Sequence, residues 1–559
     1  MAVLFSWIDY IICIVMLLGS TAIGIYHGVI YRHSPPSEYL LGSKRIGVLP
    51  IGMSITASSL AAVPVLGFSA ETYYYGITVV FELLTQIITV LVVNSIYLPV
   101  LYNLKITSIY EYLQFRFDRK TRLLVSVLYM FHMLCMIPLG NYIPALVLSQ
   151  VTGISTKILI PTLCFICVFY TATGGIRTVV WTDVLQFIFM ALSMIILLIV
   201  GIIKVGGLGI IYQRALESGR LHVHYEFDLT IRDSVWSALI GHFFLITYLV
   251  GINQNSIQKC MSVRSLETSK KAFMMAVIFY AAMTFILLFT GFVIYATYHD
   301  CDPLTSKQIE KSDQIYPFYA LEVSKNIPGL AGIFITGIVS AGLSTMSAGL
   351  NCSATVIYMD FIKPLLKKDM SDQKINLLLK SLIVIIAILS LGLAYGFEQV
   401  QNIYSNAIAL VGAASGPILG IFTIGMILPM VNSIGAFVGG VLSMCFVYWI
   451  SLGSQFYRMS NPYSTLPMSV NGCPTELGVF NVTQITPNED NGFILYKISF
   501  YYNVCIGFLT TAVLSIIISW FTRNKSAVVR KDCIAPFMHF LLSKESEYSL
   551  VKQTIMLEK

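Results

Sequence analysis

The stretch from Val48 to Gly76 reads VLPIGMSITASSLAAVPVLGFSAETYYYG, and it decides how the rest of the chain is read. It is apolar enough to enter a bilayer, yet it makes a poor continuous helix. Gly52, Pro64 and Gly67 weaken it, and Ser54, Thr56, Ser58 and Ser59 put hydroxyls in its middle. Proline removes a donor and crowds the carbonyl four residues back. Backbone freed in this way cannot face lipid, so it lines a protein cavity or holds a ligand. Interrupted helices near the bilayer midplane are where secondary transporters bind substrate and ions. Taken alone, the segment also reads as a kinked packing helix with small residues for close approach.

The surrounding chain sets this stretch in a membrane. Of 559 residues, 56% are hydrophobic and 11% charged, against about 25% charged in a soluble domain. About thirteen apolar segments follow one another, most reaching the roughly 20 residues a span needs. They fall near 7–31, 48–68, 77–103, 123–148, 157–174, 181–207, 235–257, 271–297, 329–360, 378–399, 404–430, 433–453 and 497–522. The first is too long, and lacks the basic leader, to be a cleaved signal peptide. A net charge of +7 invites a nucleic-acid partner, but the charges are placed for a bilayer. With the N-terminus outside, most of the 35 basic residues fall on the inner side, in the loops 32–45, 105–122, 259–271 and 363–380 and in the tail. The positive-inside bias predicts an extracellular N-terminus and a cytosolic C-terminus. The Asn481-Val482-Thr483 glycosylation acceptor then lies outside. Cys301 and Cys473 lie in two different outer loops, where a disulfide survives. The tail after Phe521 is polar with an apolar patch from Ile534 to Leu542, and reads as loosely surface-bound.

With the first segment set aside, the broken stretch opens one series of five helices, and the segment near 235–257 opens the next five. That second segment is also interrupted, since Gly251-Ile252-Asn253-Gln254 sets a breaker beside two amides. Weakened helices in corresponding positions of two halves point to an inverted-repeat transporter. The segment near 329–360 carries SAGLSTMSAGLNCSATVIYMDF, with Ser344 and Thr345 adjacent and Ala341 one turn earlier. Hard cations choose oxygen ligands. Two hydroxyls, a carbonyl of this helix and two carbonyls of an unwound helix make a neutral cage that holds sodium weakly and releases it. The plainer reading is that these hydroxyls bond back to i−4 carbonyls or join helices.

A family resemblance enters on several motifs. Gly174–Phe187, GGIRTVVWTDVLQF, resembles the junction of the fourth and fifth core helices of sodium/solute symporters. Gly416–Gly440 resembles their tenth core helix and the turn after it. Thr56–Gly67, TASSLAAVPVLG, resembles the first core helix of the branch holding the sodium-coupled monocarboxylate, multivitamin and iodide transporters; Thr107–Leu113, Asn253–Lys259 and Tyr298–Pro303 also fit it. The resemblance implies an all-α polytopic membrane protein with a LeuT-like core of two inverted five-helix repeats. Its parts are an extra N-terminal helix and inner loop (1–47), a first repeat (48–207) and a second repeat (208–430). Two further helices with a glycosylated outer loop (431–522) and a cytosolic tail (523–559) complete it. It also implies a sodium site formed by the carbonyls of Ala57, Leu60 and Ala341 and the hydroxyls of Ser344 and Thr345.

Asp183, at the start of the 181–207 segment, reads as a helix N-cap; in the resembling family this aspartate lies near the inner ion path, and both roles stay open. Glu82 is an intramembrane acid and by default a functional residue, although at about 9 Å from the outer end it is within reach of water. Ser59 and the apolar pair Leu249 and Val250 stand where the sugar-transporting branch has hydrogen-bonding groups, which argues against sugar. A small monocarboxylate suits the apolar wall, the hydroxyls and the helix N-termini better. Its path runs by Ser59, Pro64, Tyr73, Glu82, Tyr142 and Asn253. One departure stands: Tyr74 occupies the position where the resembling branch carries an arginine. The expectation is therefore a plasma-membrane sodium symporter for a monocarboxylate or vitamin-like acid. Another small solute (iodide, myo-inositol) or a non-transporting sensor on the same scaffold is the alternative. An enzyme is not expected, because the eight histidines are scattered without ligand spacing.

Overall fold

The computed structural model describes residues 5–31, 34–44, 46–366, 370–396, 403–474, 492–522 and 529–542. Among these residues the elements are helices only, as lipid requires of a chain that must satisfy its own backbone. Ten helices are long and apolar enough to cross a membrane, and two bent pairs bring the number to as many as twelve. In chain order they are α1 (Trp7–Ile30), α2 (Val48–Ser59), α3 (Ala62–Tyr75), α4 (Ile77–Asn103), α5 (Arg119–Thr152), α6 (Thr156–Val205) and α7 (Ser237–Gly251). There follow α8 (Gln254–Cys260), α9 (Leu266–Thr297), α10 (Leu330–Val356), α11 (Asp372–Ala394), α12 (Ile403–Ile427), α13 (Ser433–Ser460) and α14 (Asn503–Phe521). Shorter helices between them are left unlabelled.

The 50 residues of α6 would extend about 75 Å at 1.5 Å per residue, more than twice the ~30 Å hydrocarbon core. The rod is broken at Gly175, with φ 61° and ψ −151°. A Cβ there would lie 2.5 Å from the Tyr39 carbonyl oxygen, so both the backbone conformation and the space demand glycine. The apolar segments 157–174 and 181–207 are thus two halves joined at one residue.

Helix α10 is, with α12, one of the two most enclosed spans and packs against α1, α2, α5 and α6. Its approach to α5 is very close: a Cβ on Gly342 would sit 2.2 Å from Pro144 Cγ and 2.3 Å from the Gly140 carbonyl. Small residues at such crossings replace the hydrophobic drive that lipid removes. Helix α2 packs on α9 in the same way. Gly52 faces Met275 and Ala276, and the Thr56 hydroxyl donates to the Ala276 carbonyl at 2.9 Å. Gly52 is therefore a packing residue and does not break the helix.

Each end of the bundle is fastened. At one end Cys301 and Cys473 form a disulfide, Cα–Cα 4.9 Å. Four spans, α10 to α13, separate the two cysteines, and an even number returns both to the same side. The chain before Cys473 runs across the end of α3: Leu466 N donates to Tyr74 O, Asp302 N to Ser469 O and Gly472 N to Asp300 O, each at 2.9 Å. At the opposite end Arg116 donates to the carbonyls of Gly425, Leu428, Pro429 and Val431, closing the C-terminus of α12. Arg122 there pairs with Asp360, with Nε–Oδ1 at 3.0 Å.

The tail corrects one expectation. Cys533, Ile534 and Ala535 are buried. Ala535 N donates to Met426 O at 2.9 Å, and the Tyr112 hydroxyl donates to Cys533 O at 3.2 Å. The segment is docked against the end of α12 rather than loosely laid on the surface, with Phe537 and Phe540 left exposed. The gain is burial of its apolar residues together with backbone bonds to groups that would otherwise lack partners. Asn481 lies outside the described residues.

Candidate functional site

The first bent pair turns by 68° between α2 and α3. The last bond of α2 runs from Leu60 N to Thr56 O at 2.8 Å, and α3 starts two residues later. Pro64 sits in the first turn of α3, where its ring is tolerated, and the carbonyl it would crowd belongs to Leu60. The interruption therefore falls at Leu60–Ala61, four residues upstream of the proline, and Gly67 lies inside regular helix.

Past Thr56 the carbonyls of α2 have no following turn to accept from. The hydroxyls of α10 meet them there. Ser344 Oγ donates to Ala57 O at 2.7 Å and lies 3.1 Å from Ala341 O. Thr345 Oγ1 lies 3.3 Å from Ser58 O and 3.0 Å from Ala341 O. The structure thus brings together Ala57, Ala341, Ser344 and Thr345, and adds the carbonyl of Ser58. Leu60 is fully buried at the break. The oxygens are uncharged, close and enclosed, and each hydroxyl can turn its proton away and offer lone pairs to a cation.

The second bent pair turns by 52° between α7 and α8. Helix α7 ends in a π turn, and Ile252 N is shared by Thr247 O and Tyr248 O. Asn253 Oδ1 accepts from Asn255 N at 3.1 Å and so caps α8. Asn255 Nδ2 donates to Ser58 Oγ at 2.8 Å, so the two breaks touch.

Asp183 is not a helix cap. The second half of α6 is helical from just beyond Gly175, which leaves Asp183 two turns inside, fully buried. Its Oδ2 accepts from Ser54 Oγ at 2.6 Å and from Lys259 Nζ at 2.9 Å. Glu82 does not reach water either. Its carboxylate is fully buried, 2.9 Å from Nε2 of the buried His242 at the start of the regular α-helical turn of α7.

The remaining path residues are spread about the broken span. Ser59 Oγ is enclosed without a hydrogen-bond partner. Pro64 is partly buried, and Tyr142 is buried on α5. The Tyr73 hydroxyl donates to Asp302 Oδ1 at 2.7 Å, and its carbonyl accepts from Arg220 Nε at 2.8 Å.

Arg220 was not visible as a site residue. It comes from the connection between α6 and α7, is fully buried, and lies 3.4 Å over the Tyr295 ring. Among the described residues no carboxylate forms an ion pair with it; its partners are the carbonyls of Tyr73 and Pro467, the Met468 sulfur and aromatic faces. A cation thus returns to the Tyr73–Tyr75 turn even though Tyr74 takes the arginine position. Arg232, its neighbour in the same connection, is spent on Glu71, with Nη2–Oε1 at 2.7 Å.

Comparisons with known proteins agree with this geometry. The chain is 33% identical over 531 residues to a putative sodium-dependent multivitamin transporter of Drosophila melanogaster, covering 93% of this chain and 87% of that one. It is 31% identical over 558 residues to sodium-coupled monocarboxylate transporter 1 of Homo sapiens, covering 96% and 90%. Among solved structures, a Na+-coupled sialic acid symporter in a substrate-bound outward-open state superposes with TM-score 0.77 at 21% identity, covering 92% of this chain and 98% of that one. A nucleobase-cation-symport-1 family transporter in a closed conformation gives TM-score 0.52 at 13% identity, covering 86% and 94%. These likenesses establish the fold as an all-α, LeuT-like transporter core. The model of the sodium:solute symporter family matches residues 39–443. That match takes in both broken spans and the hydroxyl-bearing α10, so every residue of the oxygen cage falls within it: the chain belongs to the sodium:solute symporter family, whose members are transporters and not enzymes.

Proposed function

We propose that the chain is a sodium-coupled symporter that imports a small organic anion, a monocarboxylate or vitamin-like acid, across the plasma membrane by alternating access. The observation that carries this reading is the meeting of Ser344 and Thr345 with the open end of α2. Sodium entering from outside displaces the hydroxyl protons from the carbonyls of Ala57, Ser58 and Ala341, with Leu60 completing the shell, and ties α2 to α10. The tie stabilises the outward-open arrangement, and the solute then binds beside it at Ser59 and Pro64 along the broken span. Closure of the outer side and rocking of the bundle expose the ion to the cytosol. Uncharged ligands release it there. The membrane potential contributes about 2.3 kcal/mol per elementary charge per 100 mV, enough for one sodium to drive appreciable accumulation.

Arg220 supports the anionic solute. Among the described residues this guanidinium meets carbonyls, a thioether and rings and forms no ion pair, with Asp302 held on the far side of the Tyr73 hydroxyl, and a buried cation of this kind favours a negative charge nearby. The test is uptake of labelled lactate, pyruvate, nicotinate, biotin, pantothenate, iodide and myo-inositol in sodium and in choline medium. Sodium-dependent accumulation of one of the organic acids is expected. Accumulation of myo-inositol alone overturns the anionic solute, and sodium-dependent binding or current without accumulation points to a sensor. In this reading the N-terminus is extracellular, the C-terminus is cytosolic and Asn481 is glycosylated, which glycosidase treatment of the cell-surface protein checks.

A further inference from the structure

All but one of the buried carboxylates of the described residues are hydrogen-bonded or ion-paired within the chain; the exception, Glu82, has His242 close by but no hydrogen bond. Glu71 pairs with Arg232, Glu82 lies against His242, and Asp360 pairs with Arg122. Asp233 pairs with Arg232 as well. Asp9 accepts from the Ser6 and Gly332 amides, and Asp302 from Tyr73 and Thr305. Asp183, the acid beside the cage, has Lys259.

The Lys259 ammonium is 1% exposed. Its three donors have three acceptors: Ser54 O at 3.1 Å, Ser58 Oγ at 2.7 Å and Asp183 Oδ2 at 2.9 Å. These are a carbonyl, a hydroxyl and a carboxylate gathered around one positive centre, the donor set a hard metal ion selects. They stand at the C-terminal end of α2, where the helix dipole favours a cation. Ser58 joins this cluster to the cage, because its hydroxyl accepts from Lys259 while its carbonyl faces Thr345.

We propose that Lys259 is a tethered cation occupying the position in which Asp183 would otherwise hold a second sodium. The cage at the helix break then takes one ion, and none binds beside it. This rests on the sodium site proposed above. Removing the lysine side chain leaves a buried carboxylate without a counter-charge, a state relieved by taking up either a proton or a metal cation; the proposal requires the cation.

The experiment is a count of bound radioactive sodium per protein in lipid nanodiscs, with choline as the replacement cation. The expected counts are one for the wild-type chain and one for Asp183→Asn. Lys259→Ala, or Lys259→Met if alanine does not give a monodisperse protein, is expected to bind two, falling to one when Asp183→Asn is added. Two ions on the wild type, with one lost in Asp183→Asn, overturn the proposal. A Lys259 variant that is monodisperse and still holds only one ion overturns it as well, as does Asp183→Asn binding none while the wild type binds one. No sodium on the wild type is a different failure. It removes the cage itself and with it the coupling ion.

Discussion

Substituting Ser344 by alanine is the sharpest test of the cage. The hydroxyl is fully buried, donates to Ala57 O at 2.7 Å and lies 3.1 Å from Ala341 O. In the proposed sodium-bound form the same oxygen is one of the ligands. A hydrogen-bond-like contact to a charged group contributes about 1.5–3 kcal/mol, and about 1.4 kcal/mol is a factor of ten. The half-saturating sodium concentration should therefore rise roughly ten- to a hundred-fold. Thermal unfolding in a sodium series reads this without knowledge of the solute, because stabilisation follows RT ln(1 + [L]/Kd). The Ser344→Ala curve should move along the sodium axis by that factor and keep its shape, while the choline series stays flat. Adding Thr345→Ala should abolish the sodium dependence over the accessible range. An unchanged sodium midpoint in the double variant refutes the reasoning, and so does an equal response to choline.

Three further outcomes test the scaffold. Gly342→Ala forces a methyl to within 2.2 Å of Pro144 Cγ and 2.3 Å of the Gly140 carbonyl, and such overpacking costs about 1–3 kcal/mol; a lowered unfolding midpoint with reduced surface expression is expected. Arg116→Ala removes the donor to the Gly425 carbonyl of α12 and to the carbonyls of Leu428, Pro429 and Val431 in the turn after it, and leaves the buried acceptors of Gly425 and Val431 unpaired at about 1–3 kcal/mol each; proteolysis near the loop that follows α12 should quicken, and Arg116→Lys should rescue it only in part. Deleting the chain after Thr522 uncovers Met426 O and the Tyr112 hydroxyl and strips the buried Cys533–Ala535 segment; lower thermal stability is expected.

The broken span and the hydroxyl pair were legible because their signals are local. Pro64 dictates which carbonyl goes free, and Ser344-Thr345 are adjacent in sequence. Partners from distant segments were less legible. Lys259 counts as one more basic loop residue when read in order, because nothing nearby shows that Asp183, 76 residues earlier, turns toward it. Arg220 and His242 are hidden for the same reason: nothing near either in sequence shows that Arg220 meets the carbonyls of Tyr73 and Pro467 or that His242 meets Glu82. Glu82 lies near a span terminus, and depth along a helix says nothing of what covers the end. The tail patch was readable as apolar, but its docking depends on free backbone groups at the end of α12 that only the folded bundle presents.

The cystine between residues 301 and 473 has a consequence for biogenesis. Its halves are 172 positions apart, with four spans threaded between them. The second thiol leaves the ribosome only after α10 to α13 have been synthesised, so oxidation cannot precede their synthesis. If one of those spans fails to integrate, parity puts the thiols on opposite faces of the bilayer and the bond never closes. Oxidation state at this position thus reports whether the back half of the polypeptide has been laid into the lipid in the right sense, before the protein leaves the compartment where it is made.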